Sequence, residues 1–307
     1  MSAAHALSLS ASLCFGIALV SSRIGLRTLD ARSGAVISIP TATALFILAA
    51  PFALDIDGFT IPAAVVFALV GLIFPAFVTI LTFRSNKDLG PTTTGAMSGT
   101  APVFALGAAS LFLGEDIPRR AVVSCAAIVV GLAILSWKQS AVRPSFTPRL
   151  LLWPISGAIL RGLAQAAAKA GLALWPNPFA ASLIGYFVSS ATVITVNRVA
   201  HPTRPPLDRP GVAWFAATGL LNGCAVLLMY GALNIAPVSL VAPIVATYPL
   251  IAALVSAAVL REEPLTLRML VGALTMVLAV IYLLAPGAEA KTFAPADVLQ
   301  PVGCARG

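Results

Sequence analysis

Ten apolar runs, each close to the length that crosses a bilayer, leave this chain little freedom in how it can fold. A helix needs about 20 predominantly apolar residues to span the hydrocarbon core. The runs lie near 6–26, 33–54, 61–83, 91–113, 119–137, 150–172, 178–198, 211–233, 237–260 and 265–285. The connections are short, so little chain remains for a soluble domain. Hydrocarbon offers no partner for a free N–H or C=O, so only helices and closed barrels span it. These runs are too long and too continuously apolar for barrel strands. The expected fold is therefore an all-α membrane protein. Composition agrees: 59% of the 307 residues are hydrophobic and 10% are charged, against about 25% charged in soluble domains. The segment 286–307 is polar, contains proline and is expected to be a disordered C-terminal tail.

Several function classes drop out early. The net charge of +8 comes from cations scattered through loops; no basic stripe forms, so no nucleic-acid partner is expected. Cys14, Cys125, Cys224 and Cys304 show no paired spacing, and three of them fall in expected helices as small apolar residues. The first run lacks a basic segment before it and has a counterpart in the second half, so it is expected to stay as a helix of the folded protein.

That counterpart belongs to an internal repeat with an offset of 146 to 148 residues. Gly16, Arg23, Gly25 and Leu26 match Gly162, Lys169, Gly171 and Leu172. Phe67, Gly71 and Leu72 match Phe215, Gly219 and Leu220. "LGP" at Leu89–Pro91 matches "IAP" at Ile235–Pro237, and "LGED" at Leu113–Asp116 matches "LREE" at Leu260–Glu263. The repeats are expected over 1–138 and 149–285, five helices each. An odd number of spans makes the second copy enter the membrane in the opposite sense. Ten transmembrane helices as two inverted five-helix repeats, with a site at their interface, is a secondary-transporter architecture.

The five-plus-five arrangement, the "LGED" and "LREEP" ends, and "APIVATYPLIAALVSAAVLREEP" resemble the EamA branch of the drug/metabolite transporter superfamily. The resemblance covers nearly the whole chain to about Leu284. It implies a bacterial inner-membrane, multi-pass permease that moves small metabolites or exports amino acids and related solutes. Other branches carry nucleotide sugars, triose phosphates and cationic drugs, so the resemblance does not choose a cargo. One departure matters. Small multidrug-resistance relatives couple to protons through a glutamate in their first helix, and here that helix, "ALSLSASLCFGIALVSSRIGL", has no acid.

The ionisable residues sharpen this picture. All eleven acids fall in loops, at helix ends or in the tail, and the two histidines are His5 and His201. Proton antiport through a buried carboxylate, and a cationic cargo that needs one, are both disfavoured. Arg161 sits halfway along the sixth run, where a charge costs about 2.5–3.5 kcal/mol on insertion scales. Arg161, Gln165 and Lys169 recur every fourth residue and form one polar stripe. Arg161, with Gln165, reads as an anchor for an anion in the pathway; alternatively Arg161 caps the carbonyls of a broken helix, or snorkels. Arg23 and Lys169 lie near helix ends and read as interfacial anchors. In "GPTTTGAMSGTAP" Thr100 and Pro102 fall inside the fourth run; in "APIVATYPL" Pro243, Thr247, Tyr248 and Pro249 fall inside the ninth. Proline interrupts the hydrogen-bond ladder, so these places read either as paired discontinuities at a binding site or as kinks for packing. Asn222 and Tyr248 could bond a solute or join two helices. Glu115 and Glu262 read as structural helix ends, with a second reading as gates that pair with nearby arginines. Gly71, Gly219 and Gly223 read as points of close packing.

The expected function is transport of a small anionic or zwitterionic solute, an amino acid or other metabolite, by alternating access between the repeats. The substrate-binding candidates are Arg161, Gln165, Asn222, Tyr248, Thr247 and Thr100. The alternative is a lipid-handling or scaffold membrane protein without solute transport. An enzyme is not expected, because no His, Asp or Glu falls inside a run to supply chemistry. No cofactor or metal is expected. The partners are a small-molecule solute and the lipid bilayer, and the sequence leaves the oligomeric state open. Orientation receives two opposed readings. Twelve Lys and Arg follow odd-numbered helices against four on the other side, which puts both termini outside; the resemblance puts them in the cytoplasm.

Overall fold

The computed structural model describes residues 3–136, 148–200, 208–260 and 267–285. The expected tail at 286–307, and Glu262 with its "LREE" segment beyond Leu260, lie outside the described residues. The described chain is helical, with no strand among the described residues. Ala3–Gly25 forms α1 and Ala31–Ala53 forms α2, which Asp30 caps by accepting the Ser33 N–H. The third run is α3 (Ile61–Gly71) and α4 (Val78–Leu89), joined by a π-helical turn at Leu72–Phe77. The fourth run is α5 (Pro91–Ser98) and α6 (Ala101–Leu113), and the fifth is α7 (Arg119–Ser136). The second half carries α8 (Leu152–Leu174), α9 (Pro178–Ala200) and α10 (Arg209–Ile235). It ends with α11 (Val238–Val245), α12 (Tyr248–Val255), a π-helical turn at Ser256–Leu260 and α13 (Leu267–Leu284).

Among the described residues, nine helical segments are long and apolar enough to cross a membrane. The remaining expected run is also helical, as α7, but does not number among the nine. The outside of the bundle is apolar: Phe52 is 93% exposed and Leu111 81% exposed. Polar side chains such as Ser12, Asn86, Arg161 and Gln165 lie inside. That inversion of the soluble pattern fits a protein whose outer solvent is lipid.

The fourth and ninth runs break at matching places. Thr100 follows α5 and Thr247 follows α11, each at φ −78° and ψ −6°. Each hydroxyl donates to the carbonyl three residues back, Thr100 to Met97 at 2.7 Å and Thr247 to Ile244 at 2.8 Å. Pro102 and Pro249 sit two residues beyond, so neither supplies the N–H that would continue the helix.

The third run differs from the expected uninterrupted helix over 61–83. It is longer, running to Leu89, and it breaks at Phe74, which is extended at φ −132° and ψ 123°. Pro75 causes this: its ring disfavours helical geometry at the residue before it, and it donates no N–H.

The first helix of each half packs on the broken helix of the other. A methyl at Gly162 would lie 2.7 Å from the Ala101 carbonyl oxygen on α6, and one at Gly16 would lie 2.8 Å from that of Tyr248 on α12. Only glycine permits such an approach. It brings α1 and α8 onto the helix breaks.

Candidate functional site

The stripe on α8 points inward. Arg161 and Gln165 are buried, while Leu163 on another face is 40% exposed to the surroundings. Around the Arg161 guanidinium stand three aromatic rings. Phe15 from α1 is 5.1 Å from it, Phe74 at the break after α3 is 5.3 Å, and Tyr248 at the start of α12 is 5.4 Å. A cation within about 6 Å of a ring face is attracted by the ring quadrupole. Two of the three rings are delivered by helix breaks, so the discontinuities and the charge belong to one place.

These groups border a small cavity of about 30 Å³. That is room for about two waters, given the roughly 10–15 Å³ each requires. Arg161, Tyr186, Asn222, Tyr248 and Thr79 bring polar groups to it, and Phe15, Phe74 and Phe83 bring apolar walls. No Asp or Glu lines it. Among the described residues no hydrogen bond or ion pair reaches Arg161, and its Nε is buried without a partner. The Tyr186 hydroxyl, on α9, is likewise buried and unpartnered. Positions one repeat apart face each other across this space: Phe15 and Arg161 at an offset of 146, Pro75 and Asn222 at 147.

Of the six sequence candidates, Arg161, Asn222 and Tyr248 come together here. Gln165 stands one turn along α8, where its Nε2 contacts the Met229 sulfur at 3.5 Å and its Oε1 is buried and unpartnered. Thr247 is beside Tyr248 and is turned to Ser12 Oγ at 2.9 Å and to its own helix. Thr100 bonds its own helix at the equivalent break. Neither threonine lines the cavity. Tyr186, Phe15 and Phe74 are additions that sequence reasoning passed over. "LIFPAF" held the signal for Phe74, because a proline inside an apolar run marks a break; Tyr186 and Phe15 carry no signal that separates them from core aromatics.

Two other expectations are corrected. Arg23 and Lys169 do not serve simply as interfacial anchors. Arg23 donates to the Asn86 and Lys87 carbonyls at 3.0 Å each, at the end of α4. Lys169 donates to Leu233 at 2.6 Å and to Ala236 at 3.1 Å, at the end of α10. A helix C-terminus presents unbonded carbonyls and partial negative charge, which attract a cation at close range. Glu115 keeps the structural helix-end role expected of it, while its second reading, as a gate, finds no arginine partner among the described residues. Its carboxylate accepts the Val238 N–H at 3.0 Å, the Ser239 N–H at 2.9 Å and the Ser239 hydroxyl, capping α11. Among the described residues no three His, Cys, Asp or Glu gather as a metal site.

A solved structure described only as the crystal structure of a protein aligns over 94% of this chain and 99% of its own, with a TM-score of 0.73 and 16% identity. At that identity the likeness establishes a shared fold. No curated protein matches the sequence. The sequence profile of the EamA-like transporter family matches twice in tandem, over residues 2–137 and again over 149–285. The chain thus belongs to the EamA-like transporter family and is a membrane transporter of the drug/metabolite transporter superfamily.

Proposed function

We propose that this protein moves a small anionic or zwitterionic solute across a bacterial inner membrane by alternating access, with Arg161 as the anion anchor. The observation that carries the reading is a guanidinium, 8% exposed, that faces a cavity with no acid and no hydrogen-bonded acceptor among the described residues. An arginine has five N–H donors in a fixed fork that suits carboxylate or phosphate oxygens. A solute that supplies those oxygens satisfies donors that the protein leaves open.

The same reading holds that α7 is the tenth span and that the two family units are inverted with respect to each other. The paired breaks at Thr100 and Thr247, and the cross-repeat contacts of Gly16 and Gly162, support this arrangement. So do the matched helix-end caps from Arg23 and Lys169, themselves 146 residues apart. A cavity of about 30 Å³ is too small for a metabolite, which supports a cycle in which the repeats part to admit one.

The test is flux into proteoliposomes. A metabolite panel should contain solutes with saturable counterflow. Arg161→Ala should lose that flux while it inserts and expresses near normally, since removing a deep charge relieves an insertion cost. Full-rate transport in a well-folded Arg161→Ala protein would sink the anchor. Absence of saturable flux for any solute would favour the lipid-handling or scaffold alternative.

A further inference from the structure

The charge inventory of the site goes further than an anion preference. A zwitterionic amino acid needs two opposite counterparts, one for its carboxylate and one for its ammonium. The cavity offers the first and not the second. No carboxylate lines it, and among the described residues the buried acid, Glu115, is taken up in capping α11. Three of the rings that line it, Phe15, Phe74 and Tyr248, already face the Arg161 guanidinium. The bonds of an α-amino acid keep its ammonium within a few ångströms of its carboxylate, so with the carboxylate on Arg161 the ammonium would lie near a like charge in a low-dielectric site, which repels strongly.

The second observation is Tyr186. Its hydroxyl is buried and unpartnered, its side chain is 2% exposed, and it borders the same cavity as Arg161. A buried hydroxyl without a partner is unfavourable in the empty protein, and it becomes a donor in place for a ligand oxygen. Resting on the anion-anchor reading above, we propose that the transporter selects net-anionic carboxylates with an apolar body over their α-amino counterparts. In that complex Arg161 holds the carboxylate, Tyr186 donates a second hydrogen bond to it, and Phe83, Leu19 and Val226 receive the apolar part.

Matched pairs test this directly. The purified full-length protein is titrated with 3-phenylpropanoate against L-phenylalanine, and with 4-methylpentanoate against L-leucine, with detergent melting as the readout. The acids should raise Tm at concentrations at least roughly tenfold lower than the amino acids. Tyr186→Phe should require roughly tenfold more acid for the same shift, because it removes one hydrogen bond to a charged group. Its ligand-free Tm should be unchanged or higher, since an unpartnered buried hydroxyl is gone; a merely structural Tyr186 would give a lower one. Equal or better binding of the amino acids, lost in Arg161→Ala, overturns the selectivity and leaves the anchor standing. Wild-type acid affinity in Tyr186→Phe overturns the second donor. If no probe shifts the wild type, or if the shifts survive Arg161→Ala, the anchor itself falls and the selectivity falls with it.

Discussion

At the scale of single residues, the central problem is how Arg161 is tolerated. Its depth costs about 2.5–3.5 kcal/mol on insertion scales. Three ring contacts, each worth about 0.5–1 kcal/mol and up to about 2 when desolvated, are of the same size. The rings therefore make the charge tolerable without a counter-ion, and they leave its N–H donors open. Lysine cannot reproduce this. Its ammonium is a compact point charge that neither stacks as a plane nor offers a fork. Arg161→Lys should fold and keep a cation in the site, yet weaken solute affinity by about tenfold or more, between wild type and Arg161→Ala. Uptake kinetics and detergent melting on the same preparations check it; wild-type affinity in the lysine variant would show that charge alone suffices. Arg161 was legible in the sequence because a charge inside an apolar run has few explanations. Its cage was not, since Phe15 and Phe74 are ordinary apolar residues until folding brings α1 and the α3 break beside α8. Arg23 and Lys169 escaped a correct reading for a related reason. Their positions near helix ends are visible in one dimension, but the α4 and α10 carbonyls beside them are not.

Among elements, the features that matter are ends and interruptions. The prolines predicted breaks in the fourth and ninth runs, and both occur with the same backbone angles at Thr100 and Thr247. Pro75 breaks the third run by the same physics. In the fourth and ninth runs a new helix starts inside the bundle after each break, and that is how Tyr248 reaches the cavity. Glu115 shows the other use of an end. It leaves α6 and takes two N–H groups and one hydroxyl at the start of α11, joining the two halves where their helices meet. Buried donors left unsatisfied cost about 1–3 kcal/mol. Glu115→Ala should therefore destabilise the protein by about that amount, seen as a lower melting temperature in detergent, while Glu115→Gln, which still offers one acceptor oxygen, should lie between. A melting temperature unchanged in the alanine variant would show that water or another group caps α11. The sequence marked Glu115 as a helix end and could not say which helix it serves, because the partner lies 123 residues away.

For the molecule as a whole, the two family units are interlocked rather than placed side by side. α1 meets α12 and α10, and α8 meets α6, α3 and α4, so each first helix belongs to the packing of the opposite unit. The cavity forms where these exchanged helices meet the breaks. In the alternating-access cycle proposed above, motion of one unit against the other would change the space around Arg161. Which side opens first depends on how the bundle sits in the membrane. The positive-inside rule counts Lys and Arg close to the ends of spans, in short loops. Twelve such residues follow odd-numbered runs and four lie on the other side. Arg23 and Lys169 take no part in that count, because their charges are committed to helix ends within the bundle. Arg84 and Arg149, near the facing ends of α4 and α8, fall on the richer side. The charge bias thus predicts odd-numbered loops in the cytoplasm and both termini outside, where the family resemblance predicts the reverse. A C-terminal fusion decides it: alkaline phosphatase should be active there, and green fluorescent protein exported through the general secretory route should be dark. A bright fluorescent fusion with an inactive phosphatase would place the termini in the cytoplasm. The twelve cations would then face outward, and the charge argument would be overturned.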